Sequence, residues 1–209
     1  GSFVGGATFS YGNGDATVHG SGFGGFTWSY AYTYAGATAQ NHTVLNSGPG
    51  AFVSTYTQGA GYVRTTNSGS GAFLQGMATA LNAGTVSTRS QALMQASGLG
   101  SFAQGHIDAS GNSGVTDECS ILSSLSGSFA QGSVLGSLAG KIQATQPGAF
   151  AQGRVNSGGT IEATAQGAFA HGRAQSSYSI TASAAGAFAV GDATSGSIIA
   201  SAINAFQLG

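Results

Sequence analysis

Charge is the scarcest commodity in this 209-residue chain: five Lys plus Arg and six Asp plus Glu, for a formal net charge of −1. Ordinary soluble domains carry about 25% charged residues, against 5% here. So few cations leave nothing to neutralise a phosphate backbone, which excludes nucleic acid as a partner. Proline is nearly missing, with Pro49 and Pro147 alone. A collagen-type triple helix, which needs abundant proline and glycine at every third position, is therefore excluded. The single Cys119 cannot close an intrachain disulfide, so no disulfide framework holds the fold, and the thiol reads as a small buried hydrophobe. Residues 16–63 hold no Asp, Glu, Lys or Arg, yet Ser, Thr, Asn and Gly interrupt them every few positions. No stretch of about 20 apolar residues results, and no transmembrane segment is expected. Gly1-Ser2-Phe3 opens without a basic segment or an apolar targeting stretch and reads as the start of a processed chain or a fragment. An apolar fraction of 41% with balanced charge excludes a disordered charged tail.

Catalytic groups are equally sparse. His19, His42, His106 and His171 lie far apart in sequence. The densest ionisable cluster is His106, Asp108, Asp117, Glu118 and Cys119, whose spacing matches no zinc pattern and offers no second thiol. Asp117-Glu118 reads as a solvated corner, in keeping with an expectation that charges fall in the links between strands. Gly20-Ser-Gly22-Phe-Gly24-Gly25 satisfies a dinucleotide-type glycine pattern, but an aromatic strand follows it where a helix is required. No nucleophile elbow, Walker lysine or calcium-binding nonapeptide occurs. Asn41-His42-Thr43 is one glycosylation sequon. The expectation is a chain without catalytic residues, metal or cofactor.

What is present is glycine, 37 residues of it, arranged in a repeat. The hexamer Gly-[Ala/Ser]-Phe-Ala-x-Gly stands at 100–105, 127–132, 148–153, 167–172 and 186–191, with looser copies at 1–6, 71–76 and 204–209 and a partial one at 50–53. The anchors Phe52, Phe73, Phe102, Phe129, Phe150, Phe169, Phe188 and Phe206 are separated by 21, 29, 27, 21, 19, 19 and 18 residues. A unit of about 19 residues with insertions in mid-chain follows from that spacing. Each unit has a second element, as in Thr160-Ile161-Glu162-Ala163-Thr164-Ala165, where apolar residues alternate with hydroxyl or polar ones. Such period-2 patterning marks a half-buried strand. Gly- and Ser-rich links join the elements, four of them with Asn-Ser-Gly at Asn46, Asn67, Asn112 and Asn156. Asn and Gly tolerate the left-handed backbone that tight corners need, so these read as turns.

Two short strands and two turns per unit describe one coil of a solenoid. No unit can bury its own apolar face, and stacking equivalent strands lets Phe sit on Phe and Ile on Ile. The fold expected is all-β: a parallel β-solenoid, or β-roll, of about 8–10 coils with two short strands per coil of about 19 residues. Ring size and the Phe ladder favour Phe as the inward core anchor. Two regions are expected: 1–47, aromatic-rich N-terminal coils with a long strand over 26–34, and 48–209, the repeat β-roll.

Phe169-Ala-His-Gly-Arg-Ala and Phe188-Ala-Val-Gly-Asp-Ala resemble the head repeats of trimeric autotransporter adhesins and the Ala-x-Gly repeats of phage and large-virus fibres. The resemblance covers most of 48–209 and, more faintly, 1–47. It implies a left-handed parallel β-roll packed as a homotrimer, with an adhesive or spacer role on a cell or virion surface. The unit here is longer than the adhesin repeat, and Phe replaces an aliphatic residue.

Phe26, Trp28, Tyr30, Tyr32 and Tyr34 occupy alternate positions of one run, so one strand face would carry all five. Twelve of the 20 aromatic residues precede residue 63. The strip reads either as a wide core or subunit contact, or as an exposed platform for sugar rings or a protein partner.

Three functions fit these features. The first is a non-catalytic surface adhesin or fibre segment contacting a host-surface glycan or protein receptor, extracellular and self-associating as a trimer. The second is a self-assembling filament or matrix protein, because residues 1–6 and 204–209 sit at the same phase of the repeat and show no cap, inviting end-to-end pairing. The third, an ice-binding solenoid, would need a flat outward array. The outward triplets Ser120/Leu122/Ser124, Lys141/Gln143/Thr145, Thr160/Glu162/Thr164 and Ser197/Ile199/Ser201 interrupt one at Leu122, Lys141 and Glu162.

Overall fold

The computed structural model describes residues 1, 3–9, 15–32, 41–58, 62–79, 91–108, 118–135 and 140–209. Among these the regular structure is strand alone. The first ten strands are β1 (Phe3–Phe9), β2 (Asp15–Gly20), β3 (Phe26–Tyr32), β4 (Asn41–Asn46), β5 (Phe52–Gln58), β6 (Tyr62–Asn67), β7 (Phe73–Thr79), β8 (Gln91–Ala96), β9 (Phe102–Asp108) and β10 (Glu118–Ser123). The remaining nine are β11 (Phe129–Leu135), β12 (Lys141–Ala144), β13 (Phe150–Asn156), β14 (Thr160–Ala163), β15 (Phe169–Gln175), β16 (Ser179–Ala182), β17 (Phe188–Ala193), β18 (Ile198–Ala200) and β19 (Phe206–Leu208). Odd-numbered strands form one ten-stranded parallel sheet and even-numbered strands a nine-stranded one, each in chain order. The architecture is a parallel β-solenoid, one strand of each sheet per coil. Both sheets run on through residues 47 and 48, with β3 pairing β5 and β4 pairing β6.

Every coil starts its first-sheet strand on a phenylalanine, and the register places Phe on Phe from Phe3 to Phe206. The expectation that these rings face inward is corrected. The residues after them are buried completely, among them Val53, Leu74, Ala103, Ala130, Ala151, Ala170 and Ala189. Alternation along a strand then sends Phe to the outer face, where the rings between Phe26 and Phe188 are half-buried. The interior between the sheets is too narrow for a ring in every coil.

Narrowness comes from a glycine–isoleucine fit. Gly153 has φ 150°, and a Cβ there would collide with the carbonyl oxygen of Gly172 and stand 2.7 Å from Ile161 Cδ1. The same fit recurs for Gly132 with Ile142, Gly172 with Ile180 and Gly191 with Ile198. An Ile of the second sheet thus fills the space left by the missing side chain opposite, and Ile142, Ile161 and Ile180 are fully buried. Burying each contributes roughly 1.5–3 kcal/mol.

The corner leading into each Phe has a constant length, while the opposite link absorbs the insertions. In Ser47-Gly48-Pro49-Gly50-Ala51, Ala51 N–H donates to the Gly48 carbonyl at 3.1 Å, and Gly50 takes φ 65°. A turn of this kind needs positive φ at its third residue and favours Pro at its second. Pro147 occupies the same second place before Gly148 at φ 64°. The Asn-Ser-Gly links at Asn46, Asn67 and Asn156 do lead into turns, but the asparagines are not the left-handed residues. Asn46 and Asn67 end strands with fully or almost fully buried side chains, and the left-handed residue after Asn156 is Ser157, at φ 51°. Asn112 lies outside the described residues. Charges also depart from expectation: Arg64, Lys141, Arg154, Glu162, Arg173 and Asp192 all lie in strands, because outward strand positions are as well solvated as corners.

Candidate functional site

The outward placement of Phe creates the molecule's most extended feature. Ten rings stack in one column, with adjacent centroids 4.5–5.2 Å apart and planes within 1–11° of parallel. This is face-to-face stacking enforced by the strand spacing of about 4.8 Å. Each interior ring has both faces covered by neighbours, so its edge is what remains toward solvent. Phe3 and Phe206, at the two ends of the column, are 57% and 64% exposed.

Beside the rings, two residues along each strand, runs a second column. Gln104 Nε2 donates to Gln75 Oε1 at 3.3 Å, Gln131 to Gln104 at 3.1 Å, and Gln152 to Gln131 at 3.0 Å. His171 continues the column and tilts against Phe169, with ring centroids 6.2 Å apart. A third column carries His106, whose Nδ1 lies 3.4 Å from Ser133 Oγ, then Arg154, Arg173 and Asp192 in register. Arg173 forms a two-pronged ion pair with Asp192, at 3.1 and 2.5 Å. The carboxylate hydrogen bond and charge raise the guanidinium pKa above its ordinary value.

The aromatic strand belongs to the same outer face. Thr27 and Ser29 are buried, and Trp28 is 56% exposed. Among the described side chains of this strand, the aromatic positions therefore face out and the small hydroxyl residues face in. Phe26 is stacked between Phe3 and Phe52, which leaves it no free ring face. A Cβ on Gly5 would stand 3.2 Å from Trp28 Cε3, so the indole lies over that glycine. Tyr30 and Tyr32 belong to β3, and Tyr34 lies outside the described residues. Buried Asn46 fixes the start of the strand. Its amide donates to the Phe26 carbonyl at 2.9 Å, to Thr27 Oγ1 at 2.8 Å and to the Ala51 carbonyl at 3.2 Å. Asn67 repeats the device one coil on, donating to the Phe52 and Ala72 carbonyls.

The ionisable cluster around residue 106 does not converge. His106 sits on the outer face of the first sheet, Cys119 is buried in the core, and Asp117 lies outside the described residues. Among the described residues no group of three or more His, Cys, Asp or Glu is placed to hold a metal ion, and no helix is long and apolar enough to cross a membrane. Of the outward triplets on the second sheet, Ser120 is buried, covered by Gln143, whose amide donates to its hydroxyl at 3.3 Å. That further breaks the flat hydroxyl array.

Sequence reasoning located the Phe column and the aromatic strand. The repeat also lines up Gln104, Gln131, Gln152 and His171 at one position of the hexamer, but it does not reveal the hydrogen bonds along that column, the buried asparagines or the Arg173–Asp192 pair. The signal for the pair was its spacing of one repeat, 19 residues. Comparison with protein-family models, with curated proteins and with solved structures found no match.

Proposed function

We propose that the chain is a non-catalytic structural and adhesive repeat protein: a rigid β-roll fibre or head segment on a cell or virion surface that contacts a receptor or host surface. The observation that carries this reading is Trp28. It is a large aromatic side chain, 56% exposed, held on a rigid sheet whose inner face is already filled. Tryptophan presented this way is a typical centre of a recognition surface, and a glycan or a protein loop is the partner it suits. Copies of the chain associate, as the adhesin-like repeats imply, and multivalency then raises a weak contact to useful avidity.

The test is binding of the intact chain to host cells and to a glycan array, beside Trp28→Ala. At least tenfold weaker binding with an unchanged β-sheet circular dichroism spectrum supports the reading. Full binding by the variant contradicts it. A second reading, a self-assembling filament or matrix protein, is favoured by the long outer face with its few charges, and micrometre filaments in negative stain would support it.

A further inference from the structure

We propose that the outer face of the ten-stranded sheet, from β5 to β17, is a self-interaction surface that mates with the same face of a second copy of this chain. The inference rests on the reading of the chain as a rigid rod and names a partner for its broadest face. It concerns neither the ends of the rod nor Trp28.

The state of the rings selects the kind of partner. Between Phe52 and Phe188 the centroids repeat every 4.5–4.7 Å and the planes stay within 1–7° of parallel. Stacking consumes both faces of the interior rings. A sugar or a nucleobase, which needs a free π face, finds nothing to lie on there. What the column presents is a ridge of ring edges with a fixed period. An identical ridge on a second copy has the same period, so its side chains fit between those of the first along the whole contact.

The amide column makes burial of this face inexpensive. Gln75, Gln104, Gln131 and Gln152 already bond to one another along the rod at 3.0–3.3 Å, so covering them leaves each of these amides with at least one partner. Stacked aromatics beside glutamine ladders are the elements of a dry sheet-to-sheet zipper. Charge does not oppose the contact. On this stretch the charged residues are Asp108, at the end of β9, and Arg154, Arg173 and Asp192, which gather toward β17, where Arg173 and Asp192 are paired with each other, and the formal net charge is only −1.

The area suffices. Seven strands at about 4.8 Å, each about 20 Å long, offer on the order of 700 Å² per copy. Two copies would bury on the order of 1,400 Å², within the roughly 1,200–2,000 Å² typical of stable protein interfaces. A two-fold arrangement, in which the same patch serves both partners, meets the requirement with one surface.

The test compares the intact chain with Gln104→Lys/Gln152→Lys, which puts two cations on the outer face, and with Gln143→Lys/Thr181→Lys, which puts two on the other sheet. Mass by sedimentation equilibrium at about 100 µM should be a multiple of 20.3 kDa for the wild type and for the second variant. It should fall toward 20.3 kDa for the first, with self-association at least tenfold weaker. Should the first variant lose its β-sheet spectrum, Gln131→Glu alone is measured in its place and read the same way. A wild type that stays at 20.3 kDa overturns the proposal, as does a folded outer-face variant that associates like the wild type. A monomer with a full β-sheet spectrum would leave the rod reading standing, and host-surface binding by that monomer reports separately on Trp28.

Discussion

At the fourth position of the first-sheet strands, the C-terminal coils carry glycine, with Ile142, Ile161, Ile180 and Ile198 packed into the space opposite. The second and third coils carry Ser29 and Thr55 there, and the residues in the corresponding place on β4 and β6 are Val44 and Thr65. β7 marks the changeover, where a Cβ on Gly76 would collide with the thioether of Met94. The two regions hold one register and one spacing with different contents. Volume is shared between facing positions: where one side gains a side chain, the other gives one up. The exchange has a polar cost in the N-terminal coils. The hydroxyls of Ser29, Thr55 and Thr65 are buried and find no hydrogen-bond partner among the described residues. In the C-terminal coils the same places hold groups without polar atoms.

The largest effect should come from forcing the N-terminal solution onto a C-terminal coil. Gly153→Val meets the backbone of the next coil and Ile161 at once, so a loss of about 4 kcal/mol or more is expected in thermal unfolding. Gly153→Ser should cost less, and adding Ile161→Val should recover about 1 kcal/mol of it, a coupling measurable by a double-mutant cycle. The residual loss reports the carbonyl oxygen of Gly172, which no side-chain change relieves. The converse change, Thr55→Val with Thr65→Val, removes two buried hydroxyls without altering shape. Stabilisation of about 1–2 kcal/mol is expected, seen as a higher melting temperature. Smallest of all, Arg173→Ala breaks an ion pair whose members are about half exposed, and no resolvable change in melting temperature should follow.

Much of this fold is legible in the residues. The Phe anchors give the coil length, the Ile-x-Ala strands give the second sheet, and the corner glycines give the turns. Which way the Phe strand faces is not legible from alternation alone, since a period of two defines two faces without saying which is inside. Ring volume argued for the interior. The interior is closed to it because small residues on one sheet accept Ile from the other, a relation between positions in two different strands. The inward role of Asn46 and Asn67 was not legible for a related reason. Their residue type suits a left-handed corner, but an amide pointing inward satisfies carbonyls of the coil. Of the candidate site, the aromatic strip was legible as a strip. The covering of Phe26 by its neighbours was not, because it depends on Phe3 and Phe52 in other coils.

Everything inferred about the outer face rests on Phe pointing out and its alanine neighbour pointing in. Phe150→Lys and Ala151→Lys, adjacent in β13, separate the two most directly when thermal unfolding is followed by circular dichroism. The expected result is that Phe150→Lys retains the β-sheet spectrum with a lowered melting temperature, while Ala151→Lys, which places a charge in the closed interior, abolishes cooperative folding. A folded Ala151→Lys beside an unfolded Phe150→Lys would contradict the account.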